Sequence, residues 1–213
     1  MTSDLVNLIK FLEFTNKFQQ IKRTIFVPNE LPQRFENDAE HTLQITLVAW
    51  YLIDSKNLPL NKELAIKYAL VHDLVEVYAG DLDPFMHTND PDFELKKAKN
   101  EAKAFSKIKQ SISEFSDLHK YIQAYEQKED EESIFIYSLD KLVGKLNVTE
   151  LDKRSFKDCG ISYSSAKKRF LKIEKSPYIK PYIDEISKLW KIKQDFYAET
   201  DFLPEYKKQF IHN

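Results

Sequence analysis

The sequence predicts an all-α fold: a single compact helical domain over residues 1–213, with additional helices at its C-terminal end from about residue 160. Three observations predict it. Apolar residues recur at three- and four-residue steps along most of the chain, which is the spacing of one helix face. No segment alternates convincingly with the period of two that a half-buried strand needs. Only 3 Gly occur in 213 residues, too few for a turn-dense β-sandwich or a glycine-rich phosphate loop. Hydrophobic residues make up 42%, with 15 Phe and 11 Tyr, enough to fill one core.

The elements follow in order. Residues 3–21 place Leu5, Leu8, Ile9, Leu12, Phe18 and Ile21 at helical steps, with Ser3 as the N-cap. Pro28 and Pro32 argue against helix in the connection that follows. A second helix begins at Asn37, where Glu40 three residues on completes a capping box. Phe35 and Trp50 are read as core residues. A third helix runs from Asn61 to Ala79 and stops at Gly80. Its second half is apolar nearly all round, as a helix buried on every side should be. A loop with Pro84 and Pro91 leads to helices over 92–113 and 115–127. Helix 131–154 is again apolar through its middle. Cys159-Gly160 marks a break before helices near 163–175 and 180–198.

Composition excludes several classes of function. The 32 basic and 34 acidic residues leave a net charge of −2, too little positive charge for a chain that grips nucleic acid by charge. The single cysteine, Cys159, excludes an internal disulfide or a multi-thiolate zinc site and reads as structural. The apolar runs are too short for a membrane span. The N-terminus has no basic n-region with a small-residue cleavage site, so a cytoplasmic location is expected. Lys96, Lys97, Lys99 and Lys103 read as a solvated cationic face, and His87 and His119 as exposed.

The informative residues are polar ones inside the most apolar helices: His41, the His72-Asp73 pair, Glu76 and Asp140. Singly, each has an ordinary reading, such as a satisfied core histidine or a carboxylate paired with a nearby lysine. Jointly they need one explanation, because a buried carboxylate costs several kcal/mol unless paired or metal-bound. A divalent cation supplies it. Two imidazoles with two carboxylates suit Mn, Fe, Co, Ni or Zn better than an all-oxygen Mg or Ca cage. On a helix His72 and Asp73 diverge by about 100°. Glu76 lies one turn on, on the same side, and Asp81 sits at the helix mouth beyond Gly80.

Three strings carry a family resemblance: ENDAEH at 36–41, HDLVEVYAGD at 72–81 and SLDKL at 138–142. Their order, H…HD…D, resembles the HD-domain phosphohydrolase superfamily, and within it the 5′-deoxynucleotidase branch, over residues 5–150. In that branch the HD pair is followed by Glu at +4, Gly at +8 and Asp at +9, matched here by Glu76, Gly80 and Asp81. The resemblance implies one divalent transition metal ion held by His41, His72, Asp73 and Asp140. It implies that Glu76 activates or positions the attacking water and that Asp81 sits near a nucleotide sugar. Arg34 matches a basic position in the string before His41, Arg23 the basic position near the end of the first helix that faces the substrate phosphate, and both are substrate-binding candidates. The chain departs from the pattern at Thr42-Leu43, where many relatives carry an aromatic, and in the loop after Asp81. The implied function is metal-dependent hydrolysis of the 5′-phosphate of (deoxy)nucleoside monophosphates or a similar phosphate ester. The competing class is a metal-holding nucleotide sensor without turnover. A homodimer is expected, with the aromatic-rich C-terminal helices as its interface.

Overall fold

The computed structural model describes residues 2–82, 92–173, 175–192 and 196–210. His87 lies outside them. Helix α1 (Ser3–Phe18) leads into a hairpin of β1 (Lys22–Phe26) and β2 (Phe35–Asn37). Then follow α2 (Asp38–Ser55), α3 (Lys62–Val71), the short α4 (Glu76–Ala79), α5 (Phe93–Ser111), α6 (Ser116–Gln127) and α7 (Glu131–Leu146). A π-helical stretch (Asn147–Leu151) extends α7, and α8 (Tyr163–Ile173), α9 (Lys180–Ile192) and a 3-10 segment (Glu205–Phe210) close the chain. The all-α expectation holds, with a two-stranded antiparallel sheet added in the segment that the prolines keep out of helix. Among the described residues, no helix is long and apolar enough to cross a membrane.

Local chemistry accounts for the boundaries. Thr2, rather than Ser3, caps α1, accepting from the Leu5 amide. The capping box at α2 forms as the sequence predicts: the Asn37 side chain accepts from the Glu40 amide at 3.0 Å, and the Glu40 carboxylate accepts from the Asn37 amide at 3.2 Å. The strands pair Lys22 with Asn37 and Phe26 with Phe35, so the hairpin delivers the chain straight into α2.

The helix expected over 61–79 is broken. It ends at Val71, and residues 72–75 turn through i to i+3 hydrogen bonds before α4 begins. A tightened turn of this kind has three residues per revolution, so Asp73 and Glu76 eclipse each other. Gly80 ends α4 at φ 76°, a conformation that favours glycine.

Helices α2, α3 and α7 pack against one another. Ile45, Ala49, Ala65, Ala69, Phe135 and Ile136 are fully buried between them. Trp50, expected inside, is instead half-exposed and donates to Asp54 on its own helix. The C-terminal helices have their own aromatic centre, in which Trp190, Phe156, Phe170 and Phe196 meet.

Candidate active site

Each of the three packed helices contributes one of the expected ligands. His41 projects inward from the second turn of α2, His72 stands at the end of α3, and Asp140 lies in the middle of α7. All three are buried. One ligand atom from each lies within 4.8 Å of the others. His41 Nε2 is 2.9 Å from Asp140 Oδ1, and Asp73 Oδ2 is 3.0 Å from His72 Nε2 and 4.0 Å from His41 Nε2. Ligand atoms of His41, His72 and Asp140 thus converge, with Asp73 Oδ2 beside both histidines, a spacing that suits a cation bonded at about 2.1 Å.

The donor set fits a metal on internal grounds. His72 Nδ1 donates to the Ala69 carbonyl at 2.7 Å. That contact orients the ring, with Nε2 toward Asp73. This Nε2 is buried and makes no hydrogen bond. His41 Nδ1 faces Glu36, whose Oε2 lies 3.4 Å away, although neither atom completes a hydrogen bond. These are the outer contacts that metal-ligating histidines commonly have.

The electrostatics are extreme because so many charges share one buried space. Burial pushes the Asp140 carboxyl up, but Lys141 and His41 outweigh it and hold the group well below the usual range. Asp73 is likewise opposed by burial and held low by His72 and Arg23. Burial and Arg23 pull His41 down, yet its contacts with Asp140 and Glu36 raise it to about 9. Glu76 goes the other way: burial and the charges of Asp73, Asp81 and Asp38 push it well above a normal glutamate.

Glu76 and Asp81 do come together, and the structure adds a partner that the sequence reading missed. Asp38, Glu76 and Asp81 each place a carboxylate oxygen within 4.8 Å of the others. Asp38 is completely buried and is raised to about 8, by burial first and then by the charge of Asp73. Its signal was present in the ENDAEH string: three residues before His41, it falls on the same helix face.

Arg23 bridges the two acidic groups. Its Nη1 lies 2.9 Å from Asp73 and 3.4 Å from Asp38, and its Nε lies 3.3 Å from Glu36 across the hairpin. Arg34 is not brought to this place. It is half-exposed, in a surface ion cluster with Glu30 and Glu40 at 2.8 and 2.7 Å. The reason is strand direction: Arg23 enters the site on β1, whereas Arg34 precedes β2 and its fork is taken by the capping-box glutamate.

His72, Asp73, Asp140, Glu76, Asp81 and Arg23 all face a cavity of about 390 Å³. Lys97 and Lys141 line it too. Lys97 was expected to be merely solvated, but α5 packs on α4 and turns it inward. Lys141 lies 2.5 Å from the second oxygen of Asp140. Cys159 is buried on the cavity wall, and its thiol is pushed up by that burial, consistent with a structural residue.

The HD domain family model matches residues 15–180. The chain belongs to the HD domain family. Among curated proteins it is similar to the 5′-deoxynucleotidase HDDC2 of Homo sapiens, with 28% identity over 148 residues, 68% of this chain and 69% of the relative. It is similar to the mouse (Mus musculus) protein of the same name, with 29% identity over 147 residues, 68% and 70% of the two chains. Its fold resembles the crystal structure of a "Predicted metal-dependent phosphohydrolase" from Magnetospirillum magnetotacticum MS-1. The TM-score there is 0.75 at 24% identity, covering 92% of this chain and all of the other.

Proposed function

We infer that this chain is a metal-dependent phosphohydrolase whose substrates are the 5′-phosphates of deoxynucleoside monophosphates or closely related esters. One observation carries the reading: ligand atoms of His41, His72 and Asp140 converge, with Asp73 beside both histidines, next to a nucleotide-sized cavity that His72, Asp73 and Asp140 line. Glu76 and Arg23 stand beside them. The curated relatives named 5′-deoxynucleotidase support the choice of substrate class.

A single Mn, Co, Fe, Ni or Zn ion held by His41, His72, Asp73 and Asp140 would supply Lewis acidity and a water of lowered pKa. Glu76, in its ionised form, would position the attacking water and take its proton. Arg23 and Lys141 donate to the phosphoryl oxygens as charge develops there. Asp81 accepts from a sugar hydroxyl at the cavity wall. The hydrolase is proposed to act in the cytoplasm, as a homodimer. Support for a dimer lies on α1 and α2 rather than on the C-terminal helices, because Leu8, Leu12, Leu43, Leu47 and Tyr51 are all at least half-exposed there.

The test is phosphate release from a panel of nucleoside and deoxynucleoside 5′-monophosphates, using metal-stripped protein refilled with each ion. Asp73→Ala should lose metal and activity together. Glu76→Ala should keep the metal and lose about 10² or more in turnover. Full activity in Glu76→Ala would remove that residue from the mechanism. Tight metal with no phosphate release from any nucleotide would favour the sensor reading.

A further inference from the structure

The cavity reaches well past the metal ligands. On one side it follows β1 from Arg23 to Phe26, which at the rise of an extended strand is about 10 Å. On the other it follows one face of α7, through Asp140, Lys141, Gly144, Lys145 and Val148. Lys145 is about 7.5 Å along the axis from Asp140. Gly144 keeps that passage wide, because the space where its Cβ would point is open.

The far end is built by the C-terminal part of the chain. Arg154 stacks over Phe26 at 4.3 Å and approaches the Tyr206 ring at 5.5 Å, held by Asp152 at 2.6 Å. Lys207 lines the same space and is only 4% exposed. Tyr206 and Lys207 lie beyond the residues matched by the HD domain model. From Gly144 onward the described lining residues carry three cations, Lys145, Arg154 and Lys207, and one carboxylate, Asp152. Lys145 also donates to the Lys141 carbonyl at 3.1 Å. Three cations against one carboxylate give this end of the cavity a positive potential, which suits an anion.

We propose that this far compartment binds a second anionic group of the substrate. The preferred substrates are then phosphomonoesters carrying another phosphate or carboxylate roughly 7–10 Å from the phosphate at the metal, the separation set by the strand and helix rises above. The inference rests on the phosphohydrolase reading and narrows it. Arg23, Lys141 and the metal hold the phosphate that is hydrolysed. Lys145, Arg154 and Lys207 hold the other group, and Phe26 and Tyr206 flank the organic part between them.

The experiment compares deoxyadenosine 3′,5′-bisphosphate with dAMP as substrates of the metal-loaded protein. The expected kcat/KM ratio is at least about tenfold in favour of the bisphosphate, the worth of one added charge-assisted contact. Lys207→Met and Arg154→Gln should each bring that ratio toward one. A ratio near one in the unaltered protein, or a ratio unchanged in both variants, would overturn the proposal.

A binding measurement separates this inference from the activity reading. Deoxyadenosine 3′-phosphate, titrated calorimetrically into metal-free protein, should bind at least tenfold more tightly than deoxyadenosine, and Lys207→Met should erase the difference. If that holds while neither nucleotide is hydrolysed, the compartment stands and the phosphohydrolase reading fails. If dAMP is hydrolysed but 3′-phosphate binding shows no advantage, the compartment alone fails. A Lys207→Met protein that does not fold leaves Arg154→Gln to decide both measurements.

Discussion

Removing the metal should lower the melting temperature by about 9 °C, and the structure says why. Without a cation, Asp73, Asp140, Glu76 and Asp38 share one buried space, compensated by two histidines, Arg23 and Lys141. An ion present at about 1,000 times its dissociation constant stabilises the folded chain by about 4.1 kcal/mol. The unfolding entropy is about 2.1 cal/mol/K per residue, so for 213 residues one kcal/mol moves the midpoint by about 2 °C. The assay is a circular dichroism melt of stripped protein, repeated after refilling with Mn, Co, Ni or Zn. Asp140→Asn is the control, because it keeps the shape of the side chain but removes the charged ligand. That variant will melt lower in both conditions, since Lys141 and His41 lose their partner. The comparison is therefore made within each protein, with metal and without. A shift below about 2 °C for every ion, or the full shift in Asp140→Asn, would refute the four-ligand centre.

Further outcomes follow from the same geometry. The metal-induced shift should widen as pH rises from 6 to 9. In the metal-free fold, His41 is raised to about 9 and Asp38 to about 8. The stabilisation from the His41 proton is complete below about pH 6.5 and lost as pH climbs through 9. The folded Asp38 keeps a proton that the unfolded chain releases near pH 4, so stability also falls toward pH 8. Melts at pH 6, 7.5 and 9 check this, and a shift that narrows would contradict it. Arg23→Met should lower kcat/KM by about 10- to 100-fold, the worth of a hydrogen bond to a charged group, and Arg23→Lys should recover part of it in the same assay. Asn37→Ala should cost about 1 kcal/mol in denaturant unfolding, because it removes the cap that starts α2 just ahead of Asp38 and His41.

Much of the site was legible before any coordinates. Polar residues at fixed spacing inside apolar helices can be picked out from the chain alone, because burying them carries a cost that only a shared partner relieves. That logic marks His41, His72, Asp73, Glu76 and Asp140. It does not extend to Glu36 or Asp38. They lie in an acidic run, and an acidic residue at a helix start has an ordinary explanation in capping and the helix dipole. The choice between Arg23 and Arg34 also lay out of reach. The sequence offers both, whereas strand pairing across the hairpin decides for Arg23.

The chain by itself determined the helix class, the α2 capping box, the Gly80 stop and the set of polar residues buried in apolar helices. All of these rest on periodicities and contacts within a few residues, or on the energetic anomaly of a charge in an apolar stretch. Only the tertiary structure decided where the 61–79 segment breaks, which arginine meets Asp73, and that Lys97 and Lys207 turn toward the cavity. Those outcomes depend on elements distant in sequence, 50 residues apart in the Arg23–Asp73 pair. Pairings at that range are set by how whole helices pack, and no local pattern in the sequence encodes them.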